Sequence, residues 1–273
     1  MNPADLTPYR RPGLRLRRNM HRWLDPVLSL PNRLRAGRRL RSLPDGTYVV
    51  PFEVPYVPQF ASPPLIHAYI HERLHGSDDP NWQQFGANDA DTYTFWAHRA
   101  CAIACVKMAV DAFGSSQPQT MWQLVEEGLS LGGYRTHDDS GAFVDEGWFY
   151  PALAKLASHY GLEVDGMAYA SVQDVCGAIL DGWLVAAGVT PELGERGPLR
   201  RYDGHFVLVY GFEWRQGQPQ SILLHNPSGR YVELQAAAKI PVKRFSAAFA
   251  HRYIALRGQA PDNHPRTPTG TSV

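Results

Sequence analysis

This chain of 273 residues contains only three cysteines, Cys101, Cys105 and Cys176. An odd number of widely spaced cysteines does not suit the disulfide framework of a small secreted protein. The sequence also has no run of about eighteen apolar residues, and no basic start followed by a short apolar core. Neither a transmembrane helix nor a secretory signal is therefore expected. These absences predict free thiols and a cytoplasmic location.

The chain is almost neutral, with a net charge of +1, but its charge is unevenly distributed. Residues 1–42 hold eleven arginines and two aspartates, a formal charge of +9, so that the remainder carries −8. Five prolines in this segment predict that it forms no long helix and is partly disordered. The excess of arginine beside Trp23 and Leu24 makes weak contact with an anionic membrane or an acidic protein a candidate role. A solvated segment without a partner is the alternative.

Apolar periodicity predicts helices in the first part of the remaining chain and strands in the second. Helices are predicted at residues 65–75, from Cys101 to Gly114, from Thr120, and at 151–160, 171–180 and 242–249. Strands are predicted at residues 183–189, 206–212, 222–225, 231–234 and 253–256. Residues 76–91, rich in Asp, Asn and Gly, are predicted to form a surface loop. Helices followed by strands indicate an α+β fold with one sizeable core.

Cys101 is the candidate nucleophile, because it opens the predicted helix in the run CAIACVKM. Free amide groups and the positive end of the helix dipole favour thiolate at such a position, which predicts a lowered pKa. His205 begins the strand GHFVLVYGF, and Asn226 follows the next strand in LLHNPSG. A hairpin between these strands would bring Asn226 close to His205. Cysteine, histidine and asparagine in this order suit a nucleophile, a base and a group that orients the base.

These motifs resemble those of the bacterial papain-like peptidases in cysteine-peptidase family thirty-nine, the double-glycine leader peptidases and their stand-alone relatives. CAIACVKMAVDAFG is similar to the family signature CGPASLAMVLxYxG, and GHFVLVYGF is similar to GHFVVVxGY. HNPSG resembles the family's xDP segment, with Asn226 where aspartate is usual. The resemblance implies a papain-like fold in which the nucleophile helix packs against an antiparallel sheet. It also implies that Cys101 is the nucleophile and His205 the base.

The chain departs from the family pattern at two places. Ala102 and Ile103 replace the Gly-Pro that follows the family's nucleophile. The family's oxyanion-hole glutamine lies about six residues before the cysteine, where this chain has Phe95. VPYVPQF is similar to the segment that carries this glutamine, so Gln59 is the candidate if residues 61–100 are an insertion. An ordinary surface glutamine is the alternative for Gln59.

A competing motif is HERLH, in which His71, Glu72 and His75 match the H-E-x-x-H of zinc peptidases. On a helix this spacing places both imidazoles on one face, with a glutamate to activate water. The predicted helix is short and no third ligand follows, so no metal site is assigned.

The sequence therefore predicts a basic arm at residues 1–45, a catalytic domain at 46–258 and a polar tail at 259–273. The predicted function is a cysteine peptidase or amidase that uses Cys101, His205, Asn226 and Gln59 through a thioester, without a cofactor. A peptide or amide is the expected substrate, and no nucleic-acid partner is expected. An acyltransferase or cyclase that uses the same thioester, and a binding module without catalysis, remain alternatives.

Overall fold

The structure is a computed structural model, and it describes residues 12–114, 119–137, 141 and 144–258. Its helices are α1 (Pro12–Leu28), α2 (Leu30–Leu40), α3 (Ile66–His71), α4 (Ala90–Ala97), α5 (Cys101–Ala112), α6 (Met121–Ser130), α7 (Tyr150–His159), α8 (Val172–Leu180) and α9 (Val242–Ala248). Its strands are β1 (Gly46–Val49), β2 (Leu162–Ala168), β3 (Leu184–Val189), β4 (His205–Arg215), β5 (Gln218–His225), β6 (Ala238–Pro241) and β7 (Phe249–Gly258).

The seven strands form one antiparallel sheet in the order β2-β7-β3-β4-β5-β6, with β1 also paired to β4. Helix α5 packs against β3 and β4 and contacts α6 and α7 on its other sides. Its residues Ile103, Cys105 and Met108 are fully buried, which explains why the helix is apolar around most of its circumference. The predicted α+β class, with this helix packed on an antiparallel sheet, is confirmed.

Two local predictions are wrong, and a third is incomplete. Helix α3 ends at His71, and Arg73 has a φ of 60°, so residues 65–75 do not form one helix. Residues 76–91 are largely exposed, as expected for a surface loop, but they also contain two short 3₁₀ turns and the buried Asp79, whose carboxylate accepts hydrogen bonds from neighbouring hydroxyl groups. Residues 232–234 form a 3₁₀ turn rather than a strand, and Val232 is exposed to solvent instead of pairing in the sheet.

The expectation that prolines exclude a long helix from the basic arm is also wrong within its described part. Helix α1 has 17 residues and includes Pro26. Pro31 lies in the first turn of α2, where a missing N–H removes no helical hydrogen bond. Both helices make tertiary contacts, since α1 packs against β7, α2 packs against α8, and Arg39 of α2 pairs with Asp181. Residues 1–11 of the predicted arm and the predicted tail, 259–273, lie outside the described residues.

Candidate active site

Cys101 is the first residue of α5, and its thiol reaches a cleft between the helix and the sheet. The nearby backbone N–H groups of Phe206, Ala102 and Cys101 itself favour the thiolate. Burial acts in the opposite direction and is the larger effect, so that the pKa of the Cys101 thiol is raised. This is contrary to the lowered pKa that the helix N-terminus alone predicts. Burial therefore favours the neutral thiol at this site.

His205 opens β4, where it pairs in register with Val189 at the end of β3. The preceding Gly204 has a φ of 101°, a conformation that glycine adopts without strain and that turns the chain into the strand. The imidazole is only 3% exposed. Burial lowers the pKa of His205 to about 3, with smaller contributions of the same sign from the charges of Arg230 and Arg201. Burial therefore favours the neutral imidazole and opposes its protonation in the resting site.

Asn226 follows the last residue of β5, and its backbone N–H donates to Gln235 O at 2.9 Å. Its side-chain Oδ1 accepts a hydrogen bond from the backbone N–H of Ser228 at 3.1 Å. The same Oδ1 lies 2.8 Å from His205 Nε2. The backbone N–H of Ser228 can only donate a hydrogen bond, so the side-chain atom of Asn226 that lies between Ser228 and His205 must be the oxygen. His205 Nε2 must then carry the proton, which leaves the lone pair on Nδ1.

Gln59 is buried, with 3% exposure, and borders the same cleft as Cys101. Its backbone N–H donates to Pro227 O at 2.9 Å, which ties it to the loop that carries Asn226. Its Nε2 donates to the carbonyl oxygen of Ala97, the last residue of α4, at 2.9 Å. Gln59 thus joins the two walls of the cleft and is not a surface residue. Its Nε2 has a second N–H beyond the one that bonds Ala97.

The cleft has a volume of about 350 Å³. Three of the four predicted site residues, Gln59, Cys101 and His205, line it. Asn226 lies behind His205, with 1% exposure. Ser228 and Arg230, which no sequence motif indicated, also line the cleft. Both follow Asn226 closely in the run NPSGR, and this proximity in the sequence is the signal that could have identified them.

Ser228 and Arg230 shape the wall of the cleft behind His205. Ser228 Oγ is 3.3 Å from His205 Nε2, so it is a second polar neighbour of that nitrogen. Arg230 Nη1 donates to Ser228 O at 2.8 Å and to Pro191 O at 3.0 Å. Arg230 Nε lies 3.0 Å from Glu195 Oε1, which compensates its buried charge. This arrangement fixes the loop that positions Asn226.

The HERLH segment does not adopt the geometry of a zinc site. His71 Nε2 lies 3.0 Å from Glu195 Oε1, whereas His75 Nε2 lies 2.8 Å from Asp91 Oδ1. The two imidazoles belong to different clusters because α3 ends at His71. Within the described residues, no group of three or more histidine, cysteine or acidic side chains could hold a metal ion.

No protein-family model matches the sequence, and no curated protein matches it significantly. Its structural neighbours include a C39-like peptidase from Bacillus anthracis, with 14% identity over 79% of this chain and 100% of that chain and a TM-score of 0.48. The peptidase domain of the Streptococcus transporter ComA is 14% identical over 59% of this chain and 93% of that chain, with a TM-score of 0.38.

A third neighbour is a double glycine motif protease from an AMS/PCAT transporter, in complex with the leader peptide. It is 17% identical over 58% of this chain and 84% of that chain, with a TM-score of 0.35. These neighbours are C39-like and double-glycine peptidases, the kind of protein that the sequence motifs resemble. At identities of 14–17%, they assign no activity to this chain.

Proposed function

We propose that this protein is a cysteine peptidase or amidase in which Cys101 is the nucleophile, His205 the base and Asn226 the group that orients the base. The observation that carries the proposal is the hydrogen bonding of Asn226 Oδ1 to both Ser228 N–H and His205 Nε2. This bonding leaves His205 Nδ1 with a lone pair, beside a cleft that also exposes a thiol.

In the proposed reaction, His205 Nδ1 takes the thiol proton while Cys101 Sγ attacks the carbonyl carbon of the substrate. The leaving amine then receives that proton as the carbon–nitrogen bond breaks, and a thioester remains on Cys101. Water, activated by His205, releases the acid and regenerates the thiol. Because both side chains are neutral at rest, proton transfer accompanies attack rather than preceding it.

Gln59 is the proposed donor to the oxygen that becomes negative during attack. Its amide borders the cleft beside Cys101, and its Nε2 has one N–H beyond that used by Ala97 O. The backbone N–H of Cys101, at the start of α5, is the proposed second donor. Gln59→Ala should therefore reduce kcat more than it changes KM, whereas Gln59→Glu, with an acceptor in place of the donor, should be at least as damaging.

Digestion of a peptide library, with products identified by mass spectrometry, tests the proposed reaction. The wild-type protein should produce cleaved peptides, and Cys101→Ser should not. Cleavage in ¹⁸O-labelled water should introduce the label into the new carboxyl group, whereas transfer to an amine would join two peptides without label. Equal product formation by wild type and Cys101→Ser would show that Cys101 is not the nucleophile.

Alkylation with iodoacetamide tests the state of the thiol without a substrate. Cys101 should react in the folded protein, while the fully buried Cys105 and Cys176 should remain protected and serve as internal controls. Because burial raises the pKa of Cys101, its rate should increase as the pH rises from 7 to 10. A rate already at its maximum at pH 6 would instead show a thiolate paired with protonated His205.

A further inference from the structure

Helix α1 has a polar face that is turned toward the body of the protein. His21, Asp25 and Ser29 recur at intervals of four residues, which places them on one side of the helix. Asp25 is 2% exposed and Ser29 is 3% exposed. Asp25 Oδ2 accepts hydrogen bonds from Tyr202 Oη at 2.9 Å and from Arg252 Nη2 at 3.3 Å. The helix is therefore attached to the body through polar contacts.

The opposite side of α1 is apolar and exposed to solvent. Its members recur with helical spacing, and the most exposed is Trp23, at 78%. They are Met20, Trp23, Leu24, Val27 and Leu28. A helix on the surface of a globular protein normally buries its apolar face and exposes its polar face. Helix α1 has the reverse orientation. A partner that covers its apolar side would therefore remove the free-energy cost of exposing these side chains to water.

The apolar surface continues onto α2, where Leu30 and Leu34 are exposed. Arg38 and Arg41, the latter directly after α2, lie on the same side as Leu34, and Arg33 lies at the margin of this side; all three arginines are exposed. These arginines have no acidic partner among the described residues. The two helices contain one acidic residue, Asp25, and its carboxylate is buried on the other side. The exposed side thus combines apolar side chains with uncompensated positive charge, and we call it the arm surface.

We infer that the arm surface binds an anionic membrane surface, with α1 and α2 lying in the interface. An amphipathic helix with Trp and Leu on one side and arginine at its margins has the composition of helices that bind in this way. Acidic lipids attract juxtaposed basic residues, and the apolar side chains gain by leaving water. Within the described residues, no helix is long and apolar enough to cross a bilayer.

The charge of the arm surface favours lipid over a second copy of this chain. A symmetric dimer through this surface would bring the same arginines of both copies together, and like charges at an interface disfavour association. Membrane binding would also set the orientation of the cleft. Asp25 on the polar face of α1 accepts a hydrogen bond from Tyr202, which lies three residues before His205, so the helix contacts the segment that leads into the cleft wall.

Flotation of the full chain with lipid vesicles tests the inference. Vesicles of phosphatidylcholine with 30% phosphatidylserine should carry the protein upward, and pure phosphatidylcholine should carry much less. Trp23→Ser combined with Val27→Ser should reduce binding by roughly tenfold or more. Arg33→Gln combined with Arg38→Gln should have a similar effect that disappears at high salt. Val232→Ser, which removes an apolar side chain that is 79% exposed elsewhere, is the matched control and should bind normally.

Three results would overturn the inference. One is the absence of flotation with the acidic vesicles. Another is equal flotation with both kinds of vesicle, since charge would then play no part. The third is concentration-dependent dimerisation without lipid that Trp23→Ser and Val27→Ser abolish, because a second copy would then cover the surface. Thermal unfolding of each variant shows whether lost binding reflects lost folding.

Discussion

Two clusters of buried polar side chains lie on either side of the segment from Tyr202 to His205, and they differ in how fully their atoms are paired. Under α1, Asp25 Oδ1 lies 3.0 Å from His21 Nδ1, and Oδ2 accepts from Tyr202 and Arg252. In the cleft, Gln59 Oε1 and Asn226 Nδ2 are buried without a hydrogen-bond partner among the described residues.

This difference separates a cluster that stabilises the fold from one that costs stability. A buried polar atom without a partner costs about 1–3 kcal/mol, whereas a saturated cluster does not bear this cost. Proteins commonly retain such unpaired groups where substrates bind, at the expense of stability. Substitutions in the cleft should therefore affect reaction rates, and substitutions under α1 should affect the free energy of unfolding.

The largest expected effect is on catalysis. His205→Ala should lower kcat/KM by at least roughly 10²-fold, because it removes the base that takes the thiol proton. Removal of this buried imidazole should also lower the free energy of unfolding by roughly 1–3 kcal/mol, so kcat/KM is compared under conditions in which the variant is folded. His159→Ala, which alters an exposed histidine on α7, is the control. A variant at position 205 with normal turnover would contradict the assignment of the cleft.

The next effect concerns the cluster under α1. Asp25→Ala should lower the free energy of unfolding by about 3 kcal/mol, because Arg252 and Tyr202 lose a buried partner. Denaturant unfolding measures this change, with the exposed Asp165→Ala as the control. Turnover, measured where the variant is still folded, should fall by less than tenfold. Loss of turnover without loss of stability would show that this cluster belongs to the site.

A smaller effect, with a pH signature, is expected at the positioning residue Asn226. Asn226→Ala should reduce kcat/KM about tenfold, because the imidazole loses the acceptor for Nε2. Asn226→Asp keeps that acceptor and should retain most of the activity. Its negative charge favours the imidazolium, so the pKa of His205 should rise from about 3. Since the base must be neutral, the acidic limb of the pH profile should move to higher pH. An unmoved limb would contradict direct contact between the two side chains.

The sequence was sufficient for the elements that have a strong pattern. The apolar helix from Cys101, the strand from His205 and the turn after His225 all lie where they were predicted. Strand β2 was missed because buried and exposed residues do not alternate regularly along it, and strand β6 was missed because it has only four residues. Helix α1 was missed because tertiary contacts of Asp25 outweigh the local effect of Pro26.

The site shows the same division between local and tertiary information. Motif order was enough to propose Cys101, His205 and Asn226, whose roles as a triad remain a prediction. The raised pKa of Cys101 depends on burial by distant segments, so that the local argument from the helix N-terminus gave the opposite sign. Ser228 and Arg230 were missed because their function depends on contacts with His205 and Glu195 that no local pattern indicates.

The smallest expected effect is at a histidine outside both clusters. His75 pairs with Asp91 and caps a short turn, where its Nδ1 accepts from Ser77 N–H at 3.2 Å. His75→Ala should leave kcat/KM within about twofold of wild type and lower the free energy of unfolding by about 1 kcal/mol, the usual cost of a lost cap. Addition of zinc should not increase turnover in either protein. A large loss of turnover in this variant, together with activation of the wild type by zinc, would favour the HERLH motif over the cleft. The reason is that His75 does not contact Cys101 or His205, so it could not act through them on a thiol mechanism.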